Sequence, residues 1–354
     1  MDVRRLKGIL LDAAPDGELA RSLTGRSPLV LPIANRPLAV YGLEAMAECG
    51  ATEVAALVDA NREDDVRTVG ADAERLGLTL HTIEVPAATA PVDALLAARD
   101  FVGDDPALVH RADALVGSAL APLLDAFGQE EADVGLLVRA SDDRIGEEGG
   151  ALRLVSHPRI PAADDDLAPA FVLGPSALGH AAAAAAAGRA PATLVDLALA
   201  LREAGGAVRV RTVHGSWRYR DDVDELLEGN RSVLDRLERD VRGADLSQAR
   251  VEGRVAVHRS ALVERTTIRG PATIAAGAVL VDAFVGPYSA IGENAHVEGA
   301  EVEHSIVLAG AAIRHVGRRL EASIIGREAN VHRDFELPSA LRVRVGRRAE
   351  VSLA

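Results

Sequence analysis

The chain has 354 residues, 48% of them hydrophobic and only 3% aromatic, with a formal net charge of −14. That length exceeds one ordinary core and predicts two domains, and the acidic balance excludes a nucleic-acid or anionic-membrane surface. Cys49 is the sole cysteine and Lys7 the sole lysine, so no disulfide or cysteine-based zinc cluster forms within the chain.

The first half alternates strand and helix patterns. Residues 7–11 read as a short apolar strand. A loop of small and polar residues follows to about Leu31. Leu38, Tyr41, Leu43 and Met46 recur at helical steps, which predicts a helix over 38–49. Strands are predicted over 54–58, 78–85, 107–110 and 134–138, and helices over 62–76, 92–101 and 118–127. This alternation implies βαβ units and a mainly parallel sheet. Strands at 151–156, 170–173 and 207–212 and helices at 175–187 and 194–204 follow, and 222–242 reads as one long charged helix. The alanine run 181–187 is too short to cross a bilayer, and a soluble cytoplasmic protein is expected.

From Val251 the pattern changes. Apolar residues recur at Val251, Val257, Val263, Ile268, Ile274, Leu280, Val285, Ile291, Val297, Val302, Val307 and Ile313, in steps of six with occasional five. That period fits neither a helix nor an ordinary strand, and it marks a hexapeptide-repeat β-helix. The expected fold is α/β: a Rossmann-like domain over 1–245, then a left-handed parallel β-helix over 246–354. His258, His296, His304, His315 and His332 lie in the repeat, where acyltransferases of this architecture carry a catalytic histidine, but histidine on a repetitive surface is unremarkable.

Leu31-Pro32-Ile33-Ala34-Asn35-Arg36-Pro37, followed by Tyr41-Gly42-Leu43-Glu44, resembles the L-x-P-V-A-N-K-P…Y-x-L-E segment of the sugar-1-phosphate nucleotidylyltransferases. Glu303–Leu308 and Ser323–Arg327 resemble the C-terminal domain of the long glucose-1-phosphate thymidylyltransferases in that family. The resemblance implies a phosphate-cradling loop, L-A-G-G-x-G-T-R-L-x-P, after the first strand. Without a gap it falls on Leu11 to Arg21. Its glycines become Ala13, Ala14 and Asp16, and its catalytic arginine becomes Glu18. Pro15 removes an N–H donor, and two acids face what should be a polyanion.

The resemblance places a lysine at Pro28, an E-K-P segment at Ser156-His157-Pro158, and a Q-x-x-P-x-G-L-A-H-A segment from Val85 to Ala94. Lys7 lies inside the first strand, so no lysine can serve at either lysine position, although Arg21 or Arg26 could substitute. The family holds Mg²⁺ with two aspartates. The one in L-G-D aligns with Asp113, after Arg111 and Ala112. The one in W-x-D-x-G falls on Tyr219, after Trp217 and Arg218, with Asp221 and Asp222 nearby.

These substitutions lead to the expectation of no catalytic residues and a structural or regulatory pseudoenzyme subunit. It would form a homo-oligomer, or a hetero-oligomer with an active paralogue. An active, divergent enzyme making a nucleotide sugar with Mg²⁺ is the alternative, and a nucleotide-sugar sensor the third reading. The emptied pocket is expected to fill with Leu19, Leu23 and Leu29.

Overall fold

The structure, a computed structural model, describes residues 6–12, 17–86, 89–116, 120–139, 155–156, 167–213 and 215–333. The apolar run of β1 (Lys7–Leu11) lies inside a sheet of eight described strands. Its neighbours are β4 (Glu53–Val58) on one side and β6 (Ala107–Arg111) on the other, both parallel to it. Next to β4 lies β5 (Thr79–Glu84), also parallel. Beyond β6 run the antiparallel β10 (Leu167–Leu173), then β8 (Val134–Arg139), β11 (Val208–Val213) and β9 (Val155–Ser156).

Successive side chains of a strand point to opposite faces, and β1 shows the result. Leu10 packs under α2 (Leu38–Glu48) and α3 (Glu63–Arg75), among Leu43, Met46, Val66 and Val69. Ile9 and Leu11 pack on the other face against α4 (Pro91–Ala97), α7 (Ala177–Ala186) and α8 (Leu194–Glu203). Each fully buried leucine or isoleucine contributes roughly 1.5–3 kcal/mol. Local chemistry sets the helix starts. Glu63, Asp64 and Asp65 crowd the first turn of α3, and Thr193 and Asp196 form a capping box on α8.

Three predicted elements differ in extent. The helix expected over 92–101 is two helices, α4 and α5 (Arg99–Val102), because the chain turns at Ala98 before closing on Gly103. The loop before Leu31 contains α1 (Glu18–Thr24), a 3₁₀ turn (Pro28–Val30) and a small hairpin of β2 (Pro32–Ile33) and β3 (Arg36–Pro37). The helix expected over 222–242 stops early. It is α9 (Val223–Leu234), after which Asp240 bridges Ala256 and the chain enters the β-helix. Charge patterning cannot separate a continuing helix from a charged connection.

From β13 (Gln248–Glu252) to β26 (Asn330–His332) the paired strands are parallel and stack coil on coil. Arg265 bonds Asp282 through both guanidinium arms, 2.7 and 2.8 Å, from one coil to the next at a sequence distance of 17. The apolar series supplies the inner stripe: Val257, Ile274, Ile291 and Val307 stack on one side, and Val263, Leu280, Val297 and Ile313 on another. Gly292 is required by close approach. A Cβ there would lie 2.8 Å from the backbone of the next coil at Ala309.

The two parts share one apolar cluster. Ala20, Leu31, Ile33, Leu115, Trp217, Tyr219 and Leu226 pack with Ile306 and Leu308 of the β-helix. Polar contacts reinforce it. Asn35 Nδ2 donates to the Ile291 carbonyl at 2.8 Å, and the Arg327 amide donates to the Leu23 carbonyl at 2.7 Å. Asn230 bridges both parts, accepting from the Ala34 amide at 2.9 Å and donating to the Tyr288 carbonyl at 3.1 Å.

Candidate functional site

The chain leaves β1 toward β4 on one side and later returns to β6 on the other. The carboxyl end of β1 is therefore a topological switch point, where open α/β sheets bind ligands. Asp12 follows β1, Asp59 follows β4, and Arg111 ends β6 with Asp113 just beyond. Apolar runs that end in charged residues are the sequence signal for such a rim.

These charges pair with one another. Arg62 Nε lies 3.0 Å from Asp12 Oδ2 and 3.2 Å from Asp59 Oδ2, with the Arg62 and Asp12 side chains only 9% and 4% exposed. Asp59 also accepts from the Asn61 amide at 2.8 Å, which fixes the turn that presents Arg62. The resemblance puts the small second residue of the phosphate loop at position 12. Here that position carries a buried carboxylate neutralised from the same chain.

Ala13, Ala14 and Asp16 of the candidate loop, with Pro15, lie outside the described residues. Glu18 begins α1 and is exposed. The amides of Glu18 and Leu19 donate to Asp221, at 3.0 Å to Oδ2 and 2.9 Å to Oδ1. The Tyr219 hydroxyl donates to Asp221 Oδ1 at 2.7 Å and accepts from the Ala20 amide at 3.1 Å. Burial and the Asp221 carboxylate push the Tyr219 phenol well above its ordinary pKa, so it stays neutral. Gly17 makes this approach possible, since a Cβ there would stand 3.2 Å from Asp221 Oδ1 and 3.0 Å from Pro28 Cγ. In the sequence, Asp221 and Asp222 are the carboxylates near the metal position that falls on Tyr219. Asp221 holds α1, and Asp222 caps α9 by accepting from the Glu225 amide at 3.0 Å.

The two positions that the resemblance assigns to metal do meet. The Tyr219 amide donates to the Asp113 carbonyl at 2.9 Å, and β12 (Ser216–Arg218) pairs with β7 (Ala114–Val116). The Asp113 side chain is fully buried. Its Oδ1 accepts from Arg111 Nε at 2.9 Å and its Oδ2 from Arg111 Nη2 at 2.7 Å, while Arg218 Nε lies 3.7 Å from Oδ2. Sequence reasoning missed this pairing, although Arg111 and Arg218 flank the two metal positions. Among the described residues, no group of three or more His, Cys, Asp or Glu side chains gathers as metal ligands. The aspartate–tyrosine pair does not fit a Mg²⁺ site, because the carboxylate is forked by a guanidinium and the phenol oxygen is engaged twice. His110, beside this cluster, is buried and bonds the Arg111 carbonyl through Nδ1 at 2.7 Å. Burial lowers its pKa to about 4.

The remaining family positions are equally altered. Pro28 is buried where a lysine is implied. Lys7 stands at the amino end of β1, paired with Glu53 and 5.0 Å from the Phe101 ring centroid, at the opposite end of the strand from the crevice. Arg26 is committed elsewhere: its Nε donates to Asp65 Oδ1 at 2.8 Å and its Nη2 to the Asp64 carbonyl at 2.9 Å. Val85 is buried, and Pro91, at the leucine position of the same segment, begins α4. Ser156 pairs in β9, and His157 and Pro158 lie outside the described residues. Leu19 and Leu23 are partly buried. They pack against the cluster shared with Ile306, Leu308 and Ile324, and Leu29 lies under α2 and the sheet. Of the β-helix histidines, His258 meets Ser260 at 2.8 Å and His296 meets Glu298 at 3.1 Å.

Comparison with known proteins agrees with this framework. The nucleotidyl transferase family profile matches residues 21–160. A glucose-1-phosphate thymidylyltransferase of Streptomyces antibioticus is 31% identical, with 98% of this chain and 99% of that protein covered. One from Streptomyces griseus is 32% identical over 98% of this chain and 100% of its own length. The low-salt glycan biosynthesis nucleotidyltransferase Agl11 of Haloferax volcanii is 27% identical over 98% and 100%. A Bacillus anthracis crystal structure described as a glucose-1-phosphate thymidylyltransferase superposes with a TM-score of 0.52 at 16% identity, covering 64% of this chain and 94% of that one, which speaks to fold alone. With near-complete coverage at over 30% identity, the chain belongs to the sugar-1-phosphate nucleotidyltransferases.

Proposed function

We propose that this chain is a non-catalytic member of its family, a structural or regulatory subunit that works through an oligomer, with itself or with an active paralogue. Residues 1–245 would form the α/β unit and 246–354 the β-helix that carries assembly, in the cytoplasm. One observation carries the reading. At the start of α1, where the family's phosphate loop runs into its arginine position, the Glu18 and Leu19 amides are taken by the Asp221 carboxylate. An internal anion there competes with a nucleoside triphosphate, and Glu18 opposes one by charge. No residue of the crevice is assigned a catalytic role.

The full-length likeness to glucose-1-phosphate thymidylyltransferases favours a second reading. In it the chain joins a nucleoside triphosphate to a sugar 1-phosphate, releasing diphosphate, with Mg²⁺ as cofactor and a nucleotide sugar as product. Diphosphate release measured across nucleoside triphosphates and sugar phosphates separates the two. Turnover at an ordinary enzymatic rate sinks the first reading. Calorimetric titration with nucleotide sugar then separates a silent subunit from a sensor.

A further inference from the structure

We propose that Arg111 replaces the divalent cation of the family, so that the Asp113 charge is balanced by the chain itself and the crevice takes no metal. This rests on the family membership and deepens the non-catalytic reading.

The geometry of Asp113 is the starting point. A fully buried carboxylate must be compensated, by a metal, a proton or a cationic side chain. Arg111 reaches both carboxylate oxygens, 2.9 and 2.7 Å away, in the fork-to-fork arrangement that makes arginine the strongest carboxylate partner. Arg218 adds a second guanidinium 3.7 Å from Oδ2. Magnesium needs near-octahedral oxygen ligands at about 2.0–2.1 Å. Placed on these oxygens, it would face two guanidinium groups across a few ångströms of low-dielectric interior.

The second half of the metal site has been converted as well. Position 219 offers a neutral phenol, and its oxygen is already bonded to Asp221 and to the Ala20 amide. The nearby carboxylates hold backbone amides, Asp221 at α1 and Asp222 at α9. Both guanidinium groups stand at Asp113, and the second position carries no carboxylate, so the two changes act together. One adds positive charge where the metal sat, and the other withdraws the negative charge that held it. Arg111 ends β6 and Arg218 ends β12, so each guanidinium is carried on a strand.

The test uses the full-length chain. Its thermal midpoint is measured in EDTA and in Mn²⁺, and bound Mn²⁺ is read by electron paramagnetic resonance. The unchanged chain should melt at the same temperature in both buffers and bind no Mn²⁺. Arg111→Leu, which restores the family's residue, should melt several degrees lower in EDTA, because Asp113 loses its counter-charge. Mn²⁺ should recover part of that loss. If Arg111→Leu does not fold, Arg111→Leu/Asp113→Asn removes both charges and should regain most of the melting temperature. Mn²⁺ bound by the unchanged chain and lost in Asp113→Asn would overturn the inference. So would an Arg111→Leu variant as stable as the parent in EDTA. Mn²⁺ at Asp113 without nucleotidyl transfer would remove this inference and leave the non-catalytic reading. Turnover that survives EDTA would do the reverse.

Discussion

The carboxylate of Asp221 lies 3.0 Å from the amide of Glu18, 203 residues away in the chain. This contact joins the segment after β12 to the first turn of α1. Its second oxygen takes the Leu19 amide, so Asp221 does for α1 what a capping side chain does locally. Removing it as Asp221→Ala should cost about 1–2 kcal/mol, the range of a helix cap. Urea unfolding measures this. An unchanged midpoint would mean that α1 is held by its apolar contacts alone.

Arg62 is the hub of the second ion cluster, between Asp12 and Asp59. Breaking a buried pair from one side leaves a charge behind, and Arg62→Met should cost about 3–5 kcal/mol. The double variant Arg62→Met/Asp12→Asn should recover much of that loss. A double-mutant cycle in denaturant reads the coupling, and strict additivity would contradict the pairing.

His110 predicts a pH dependence. Its pKa is lowered by burial from 6.5 to about 4. The unfolded chain therefore takes up a proton near pH 6.5 that the folded chain refuses until about pH 4. Stability should be full above that window and fall as the pH drops through it, by about 3 kcal/mol at the lower end. Asp133, whose pKa is lowered by its bond from Ser176, acts below this window. In His110→Gln the slope between pH 6.5 and 4 should flatten, as read by thermal melting. Equal slopes in parent and variant would mean that His110 does not titrate as its burial requires.

Much of the fold is legible in the sequence because it rests on local period. The twelve-position apolar series becomes the β-helix inner stripe, and the strand and helix alternation becomes the sheet with its two helical layers. Within the segment that carries the resemblance, Asn35, Arg36 and Glu44 are each hydrogen-bonded in the fold. Asn35 ties the hairpin to the β-helix, and Arg36 bonds Glu44 through both arms, at 3.0 and 2.5 Å. The site is less legible. A degenerate motif shows which groups are missing, but not what replaces them. Asp221 reaches Glu18, Arg62 reaches Asp12, and Arg218 approaches Asp113 across long sequence distances. Arg111 lies two residues from Asp113, yet the spacing alone does not set the fork. The helix expected to run on to residue 242 fails for a related reason. α9 ends at Leu234, and by Asp240 the chain already bridges Ala256, a tertiary contact with no local signature.

The non-catalytic reading depends on the crevice charges being engaged with one another. The most direct test is diphosphate release by the purified full-length chain, with Mg²⁺, across the nucleoside triphosphates and a panel of sugar 1-phosphates. A chain whose α1 amides are held by Asp221 and whose Asp113 is held by Arg111 should release no diphosphate above the uncatalysed background. Release at the ordinary enzymatic scale of about 1 per second or faster, with formation of a nucleotide sugar, would contradict it.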